Sequence, residues 1–209
     1  MTRALPATIP SPRGMTVEGA SAGLLSELLR DLEAEMRKQK VPVDRWLAPP
    51  ASPETVRSEF ADIGLIAPDE AIAWFGWHDG VQSVAGSHGA LPVFEGISLQ
   101  VAKRNFRGSR LGLGEWDWNP NWLQIMGGKY GIAVSCADVP DEPPLVRFVE
   151  DEWMTQEWQT DHQVVSLCTP VTWWIDAIRR GAYVFDRSTN WWQRDINQIP
   201  QHVRMYLMS

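Results

Sequence analysis

Between Ser52 and Gly80 the chain lays down two short helices whose starts and stops are both written in the residues. Ser52 can accept a hydrogen bond from a free amide of a first helical turn, Pro53 supplies a helical φ where no N–H is needed, and Gly64 offers the left-handed stop. Between them Val56, Phe60 and Ile63 recur at i, i+4 and i+7, which turns one apolar face toward a core. After Leu65-Ile66-Ala67, Pro68 opens a second helix whose Ile72, Trp74 and Phe75 look toward the same core, and Gly80 ends it behind Asp79. Two such helices need something to pack against, and the downstream pattern supplies it.

Ser98 is placed to cap a helix through Leu99, Val101, Ala102 and Phe106. Two strand-like runs follow, Trp122 to Met126 and Gly131 to Asp138, on either side of Gly127-Gly128, and this pattern predicts a hairpin. Leu145 to Val149 supplies a third strand. Val171, Trp174, Ile175 and Ile178, at i, i+3, i+4 and i+7 between Thr169-Pro170 and Gly181, predict a closing helix. The expected fold class is α+β: a central, mainly antiparallel sheet with packed helices and a helical extension at the N-terminal end.

This order, from the first capped helix through an apolar-proline junction, a second helix ending in Asp-Gly, a Ser-Leu-led helix, a hairpin and a closing helix, resembles the SUKH superfamily over residues 52 to 186. That superfamily takes in cell-wall-synthesis regulators of the Smi/Knr type and many bacterial immunity proteins. Gln124 stands where the family commonly has proline. The resemblance implies a non-catalytic protein-binding module, most concretely an immunity protein that neutralises a bacterial polymorphic or contact-dependent toxin.

At 209 residues the chain suits one domain with extensions. Residues 1–20, with Pro6, Pro10 and Pro12, are expected to be disordered, and residues 21–50 to form an amphipathic helix and a joint at Pro42, Pro49 and Pro50. That helix carries Leu24, Leu25, Leu28, Leu29, Leu32 and Met36 on one face, with Arg37, Lys38 and Lys40 near its C-terminus. Residues 51–186 form the main domain, and 187–209 a polar extension containing Trp191-Trp192. Cys136 and Cys168 lie in apolar segments with no further Cys or His at metal-ligand spacing, so buried thiols and a reducing cytoplasm are expected. No apolar run is long enough for a signal-peptide core or a membrane span.

The catalytic signatures that a sequence can display are missing: there is no GxSxG elbow, HExxH, P-loop, GxGxxG or paired CxxC. His78, His88, His162 and His202 are scattered. Gly108 to Gly114, preceded by Lys103, Arg104 and Arg107, has the composition of a phosphate cradle but lacks the strand-then-helix setting of a nucleotide loop. No catalytic residue, cofactor or metal is expected.

Binding is the better-supplied chemistry. Twelve tryptophans are present, with Trp74 and Trp174 on helix faces, Trp116, Trp118 and Trp122 near one another, and Trp153 and Trp158 in an acidic run. From 138 to 161, eight carboxylates face one arginine, a local net charge of −7 in a chain whose formal net charge is also −7. Such a field repels nucleic acid and steers a basic protein, such as a nuclease-type toxin domain. The expected partner surface comprises Glu150, Asp151, Glu152, Trp153, Glu157, Trp158 and Asp161 with Trp116 and Trp118. Gly64, Pro68, Trp74 and Gly80 are expected to be structural. A regulatory or scaffolding protein of the same fold is the alternative, and a carbohydrate binder or hydrolase using the Trp cluster with Glu115 and Asp117 is another.

Overall fold

The computed structural model describes residues 3–92, 95–110, 120–127, 130–136, 143–150, 163–201, 203 and 204. In chain order its elements are β1 (Thr8–Ser11), β2 (Gly14–Val17), α1 (Ala22–Lys38), α2 (Val43–Trp46), α3 (Pro53–Ala61), α4 (Asp69–Trp77), β3 (Glu95–Gly96) and α5 (Leu99–Arg110). There follow β4 (Trp122–Gly127), β5 (Tyr130–Ser135), β6 (Leu145–Glu150), β7 (Gln163–Val165), α6 (Cys168–Arg179), β8 (Tyr183–Asp186) and β9 (Trp191–Arg194). Seven strands form one sheet in the order β1-β2-β7-β6-β5-β4-β3, antiparallel throughout except where β2 runs parallel to β7. The α+β expectation is therefore met.

Strand alternation divides this sheet into two unlike faces. Leu123, Val134, Val146 and Val164 stand opposite one another across four strands, all fully buried. The next row, Gln124, Ala133, Arg147 and Gln163, points the other way because successive side chains in a strand alternate. There the Arg147 Nε–H donates to Gln163 Oε1 at 3.3 Å, and its guanidinium lies 5.2 Å from the centre of the Trp122 ring.

Helices cover the apolar face. α5 packs on β4 and α6 on β2, while α1 and α4 pack together and α1 crosses onto α6. Ten of the twelve residues of α6 are buried, the signature of a helix wrapped on all sides rather than lying on a surface. Its expected face is correct, with Val171, Trp174, Ile175 and Ile178 all buried. Its start is earlier than expected: Thr169 and Pro170 lie inside the first turn, where amides lack intrahelical partners and proline costs no bond. Gly181, at φ +76°, ends it.

The punctuation of α3 and α4 matches the residues. Ser52 Oγ accepts from Thr55 N–H at 3.1 Å, Pro53 is the first helical residue, and Gly64 has φ +77°. Pro68 sits at the N-cap of α4. Trp74 is buried and meets Trp77 and Trp174 edge to face, with ring centres 5.8 and 6.5 Å apart. The greasy face of α1 docks on its own domain, burying Leu25, Leu28, Leu29, Leu32 and Met36, and the Arg179 Nε–H of α6 donates to Glu35 Oε1 at 2.8 Å.

Two expectations at the chain ends need correction. Residues 8–17, within the segment expected to be disordered, form the β1–β2 hairpin and extend the sheet. Met15 pairs with Val164, and Gln163 Nε2 donates to the Arg13 carbonyl at 3.3 Å, so an open strand edge 150 residues away orders what local composition leaves undetermined. Pro10 then sits on the outermost strand, where a residue without an N–H removes no ladder bond and blunts further pairing. At the other end, the expected boundary at 186/187 falls within a hairpin, since β8 pairs with β9 in a separate two-stranded sheet.

Candidate functional site

The Asp79-Gly80 pair beyond α4 works as a clamp on α5. Gly80 has φ +79°, and a Cβ there would collide with the backbone of Ile97 and Ser98, so only glycine lets the two chain segments lie in contact. With that approach secured, Asp79 Oδ1 accepts the Leu99 N–H at 2.6 Å, while Ser98 Oγ accepts from Val101 N–H at 3.3 Å. Gly80 is expected to end the helix, but the helix itself stops at Trp77.

A second carboxylate, from the first turn of α4, holds a different helix. Glu70 is buried, and its Oε2 accepts the Leu167 N–H at 2.6 Å while its Oε1 lies 2.6 Å from Ser166 Oγ. Ser166 Oγ also accepts the Cys168 N–H at 2.9 Å, and Ser166 itself has φ +71°. Burial pushes the Glu70 carboxyl up to about 7, against the two hydrogen bonds that pull it down. Burial likewise pushes the Cys168 thiol up to about 12, the neighbouring carboxylate adding to it. Glutamate, serine and cysteine beside a helix N-terminus have the residue types of a nucleophilic site, and all three are buried.

Several other chemistry-bearing groups among the described residues have internal partners. His78 Nδ1 lies 2.6 Å from the Ala48 carbonyl, which only accepts, so this nitrogen carries a proton; its Nε2 faces Glu33 at 3.5 Å. His88 pairs with Glu95. Lys103, from the basic group ahead of Gly108, is held by Glu59 and Asp62, and Arg107 meets Asp62 at 2.6 Å, so carboxylates at the C-terminal end of α3 occupy two of the cations a phosphate would need. Cys136 and Cys168 are both buried and neither is in a disulfide. Among the described residues no three His, Cys, Asp or Glu side chains gather as metal ligands, and no helix is long and apolar enough to cross a membrane.

One cleft of about 290 Å³ lies between Leu5, Pro6 and Thr8, the outer side of α6, and Val203. Its charged edge is closed by the Arg180–Asp176 pair at 2.7 Å, and Trp173 Nε1 is 3.1 Å from Thr8 Oγ1. Thr172 Oγ1, on the same lining, is buried without a hydrogen-bond partner among the described residues.

The β8–β9 hairpin is different. Its inner face is anchored: Phe185 meets Trp46 and Trp192 edge to face at 5.8 and 5.4 Å, and Trp192 Nε1–H donates to the Gly89 carbonyl at 2.9 Å. Gly89 has no side chain because the Asn190 carbonyl occupies the place of a Cβ. Alternation then turns Val184 and Trp191 outward, 46% and 51% exposed, and Ile196 beyond them is 39% exposed. These are three of the five exposed large hydrophobic residues among those described. Sequence reasoning missed this face; the Trp191-Trp192 pair was its signal, since alternation forces adjacent strand residues onto opposite faces.

Of the expected partner surface, Trp116, Trp118, Asp151, Glu152, Trp153, Glu157, Trp158 and Asp161 lie outside the described residues, as do Glu115 and Asp117. Glu150 is the last residue of β6 and pairs with Tyr130. Trp122, by contrast, is buried on the polar face of the sheet beneath Arg147.

No protein-family model matches this chain, and no curated protein matches it.

Proposed function

We propose that this chain is a non-catalytic protein-binding module, and that it acts as an immunity-type protein neutralising a basic toxin domain. The observation that carries protein binding is the outward face of β8–β9, where Trp191 stands half exposed on a base locked by Trp192, Phe185 and Trp46. A rigid, presented tryptophan loses little conformational freedom on binding and is the residue type most enriched at the energetic centres of interfaces. The SUKH resemblance over residues 52 to 186 implies such a module, and the net charge of −7 makes a basic partner the complementary one. The commitments of Glu70, His78 and His88 to internal partners favour binding over turnover.

The test is co-expression with a candidate basic toxin domain, chosen from any neighbouring gene that encodes one. The wild-type protein should restore growth and bind the domain. Trp191→Ala should weaken binding by about 2 kcal/mol, roughly thirtyfold, if it is a hot spot. Its melting should stay within about 0.5 kcal/mol of wild type, because an already exposed side chain loses little burial. A toxin that acts equally with and without the chain would remove the immunity reading. A Trp191→Ala protein that binds as tightly as wild type would remove the hairpin from the interface.

A further inference from the structure

We propose that Glu70 is a proton-operated latch: protonated, it ties α4 to the junction between β7 and α6, and on losing its proton it lets that junction open. The carboxyl is 2% exposed, and its hydrogen-bond partners are Ser166 Oγ and the Leu167 N–H. No cation is among them. A neutral carboxyl also suits this geometry: with Oε1 2.6 Å from Ser166 Oγ, a proton on Oε1 would reverse the Ser166 hydrogen bond while Oε2 still accepts from Leu167. After ionisation the Ser166 hydroxyl has to donate instead, and a full charge is left in a dry site compensated by that hydroxyl and the first amides of α6.

Among the described residues the surroundings offer no other compensation. From α6 the titratable neighbour is the Cys168 thiol, itself buried. On α1, Glu33 is taken by Arg37 and Trp77, Glu35 by Lys38 and Arg179, and Asp31 faces Arg179. On α3, Glu59 is taken by Lys103 and Glu54 sits at the Ser52 cap, while β7 (Gln163–Val165) carries no charge. Ser166 adds the means of opening: its φ of +71° is a backbone state that non-glycine residues rarely keep, so the junction relaxes when its tie is lost.

The direction follows from linkage. The latched carboxyl, raised to about 7 from an ordinary 4.5, holds its proton more tightly than the open, solvated one, so opening releases a proton. Closure is therefore strongest below the ordinary carboxylate value and is given up as pH rises toward 7. Within that window the opening constant climbs about tenfold per pH unit, and it levels off above.

Cys168 reports the opening, because its thiol is buried in the first turn of α6 and lies 3.4 Å from the Ser21 carbonyl. The full chain carrying Cys136→Ala is labelled with methyl methanethiosulfonate from pH 5 to 8, and each rate is divided by that of the urea-unfolded chain at the same pH. The protection so obtained should fall about tenfold per unit between pH 5 and 7 and then flatten. Glu70→Gln, whose amide donates to Ser166 and whose carbonyl accepts from Leu167, should give protection independent of pH. Flat protection in the Glu70-containing chain, or an unchanged slope in Glu70→Gln, would overturn the latch. If Glu70→Gln does not fold, the curve of the Glu70-containing chain decides alone; if Cys136→Ala does not fold, peptide mapping assigns the label in the wild-type chain.

Discussion

Two helices of this protein are held at their N-termini by carboxylates that belong to the α4 region, and the two arrangements share a bond length but little else. Asp79, just beyond α4, accepts the Leu99 N–H at 2.6 Å from a partly exposed position; Glu70, at the start of α4, accepts the Leu167 N–H at 2.6 Å from a buried one. At α5 the carboxylate keeps contact with water, and what is demanding is the approach of the backbone, which needs Gly80. At α6 the approach is easy and the solvation is demanding, because a buried carboxyl without a cation has to choose between neutrality and strain. One capping interaction thus becomes a fixed clamp in one place and a titrating element in the other, with burial as the deciding variable.

The largest effect belongs to the fixed clamp. Gly80→Val puts a β-branched side chain at φ +79° and drives its Cβ into the backbone at Ile97 and Ser98, neither of which can yield as a side chain would. A loss of about 3 kcal/mol or more is expected from backbone strain plus displacement of α5, read from urea unfolding. A variant that unfolds like wild type would mean that α5 is not fixed by this contact, and the contrast between the two caps would lose one side.

Much of this frame is legible in the residues because it is local. The Ser52 cap, Pro53, the positive φ of Gly64 and Gly181, and the apolar spacing of α1, α3 and α6 each depend on neighbours within a few positions, and each is found as read. What escapes is decided at long range. The β1–β2 hairpin exists because β7 offers an edge to Met15, and the proline-rich composition of the segment contains no trace of that edge. Glu70 reads as an ordinary acidic residue in the first turn of a helix, and its partner Ser166 is 96 positions away. The outward face of Val184 and Trp191 was hidden in a stretch whose polarity suggested a wrapping tail, whereas its register with β8 is what gives it two sides. The acidic Trp153 and Trp158 run is readable only as composition and charge.

The buried cap can be broken in two ways that separate hydrogen bonding from charge. Glu70→Ala leaves the Leu167 N–H without its acceptor and the Ser166 hydroxyl without its partner in a site closed to water, and it leaves a void as well. About 2–3 kcal/mol should be lost at pH 5.5. Glu70→Gln keeps the shape and both hydrogen bonds, so at the same pH it should lose less than about 1 kcal/mol. Equal losses for the two variants would show that the amide cannot replace the protonated acid, and the site would then require the charge that burial disfavours.

The exposed cap should respond more weakly to the same pair of changes. Asp79→Ala removes the side-chain acceptor of the Leu99 N–H, but water can reach this partly open helix end, so the cost should be about 1 kcal/mol, typical of a lost N-cap interaction. Asp79→Asn keeps an oxygen at the same reach and should cost only a few tenths of a kcal/mol. The ratio between the alanine losses at Glu70 and Asp79 then measures what burial adds to one hydrogen bond of fixed length. If Asp79→Ala proves as damaging as Glu70→Ala, the difference between the caps is not solvation. The Asp79 carboxylate would instead be holding Gly80 in its contact with Ile97, which Asp79→Ala combined with Gly80→Ala would reveal as a loss smaller than the sum of the two.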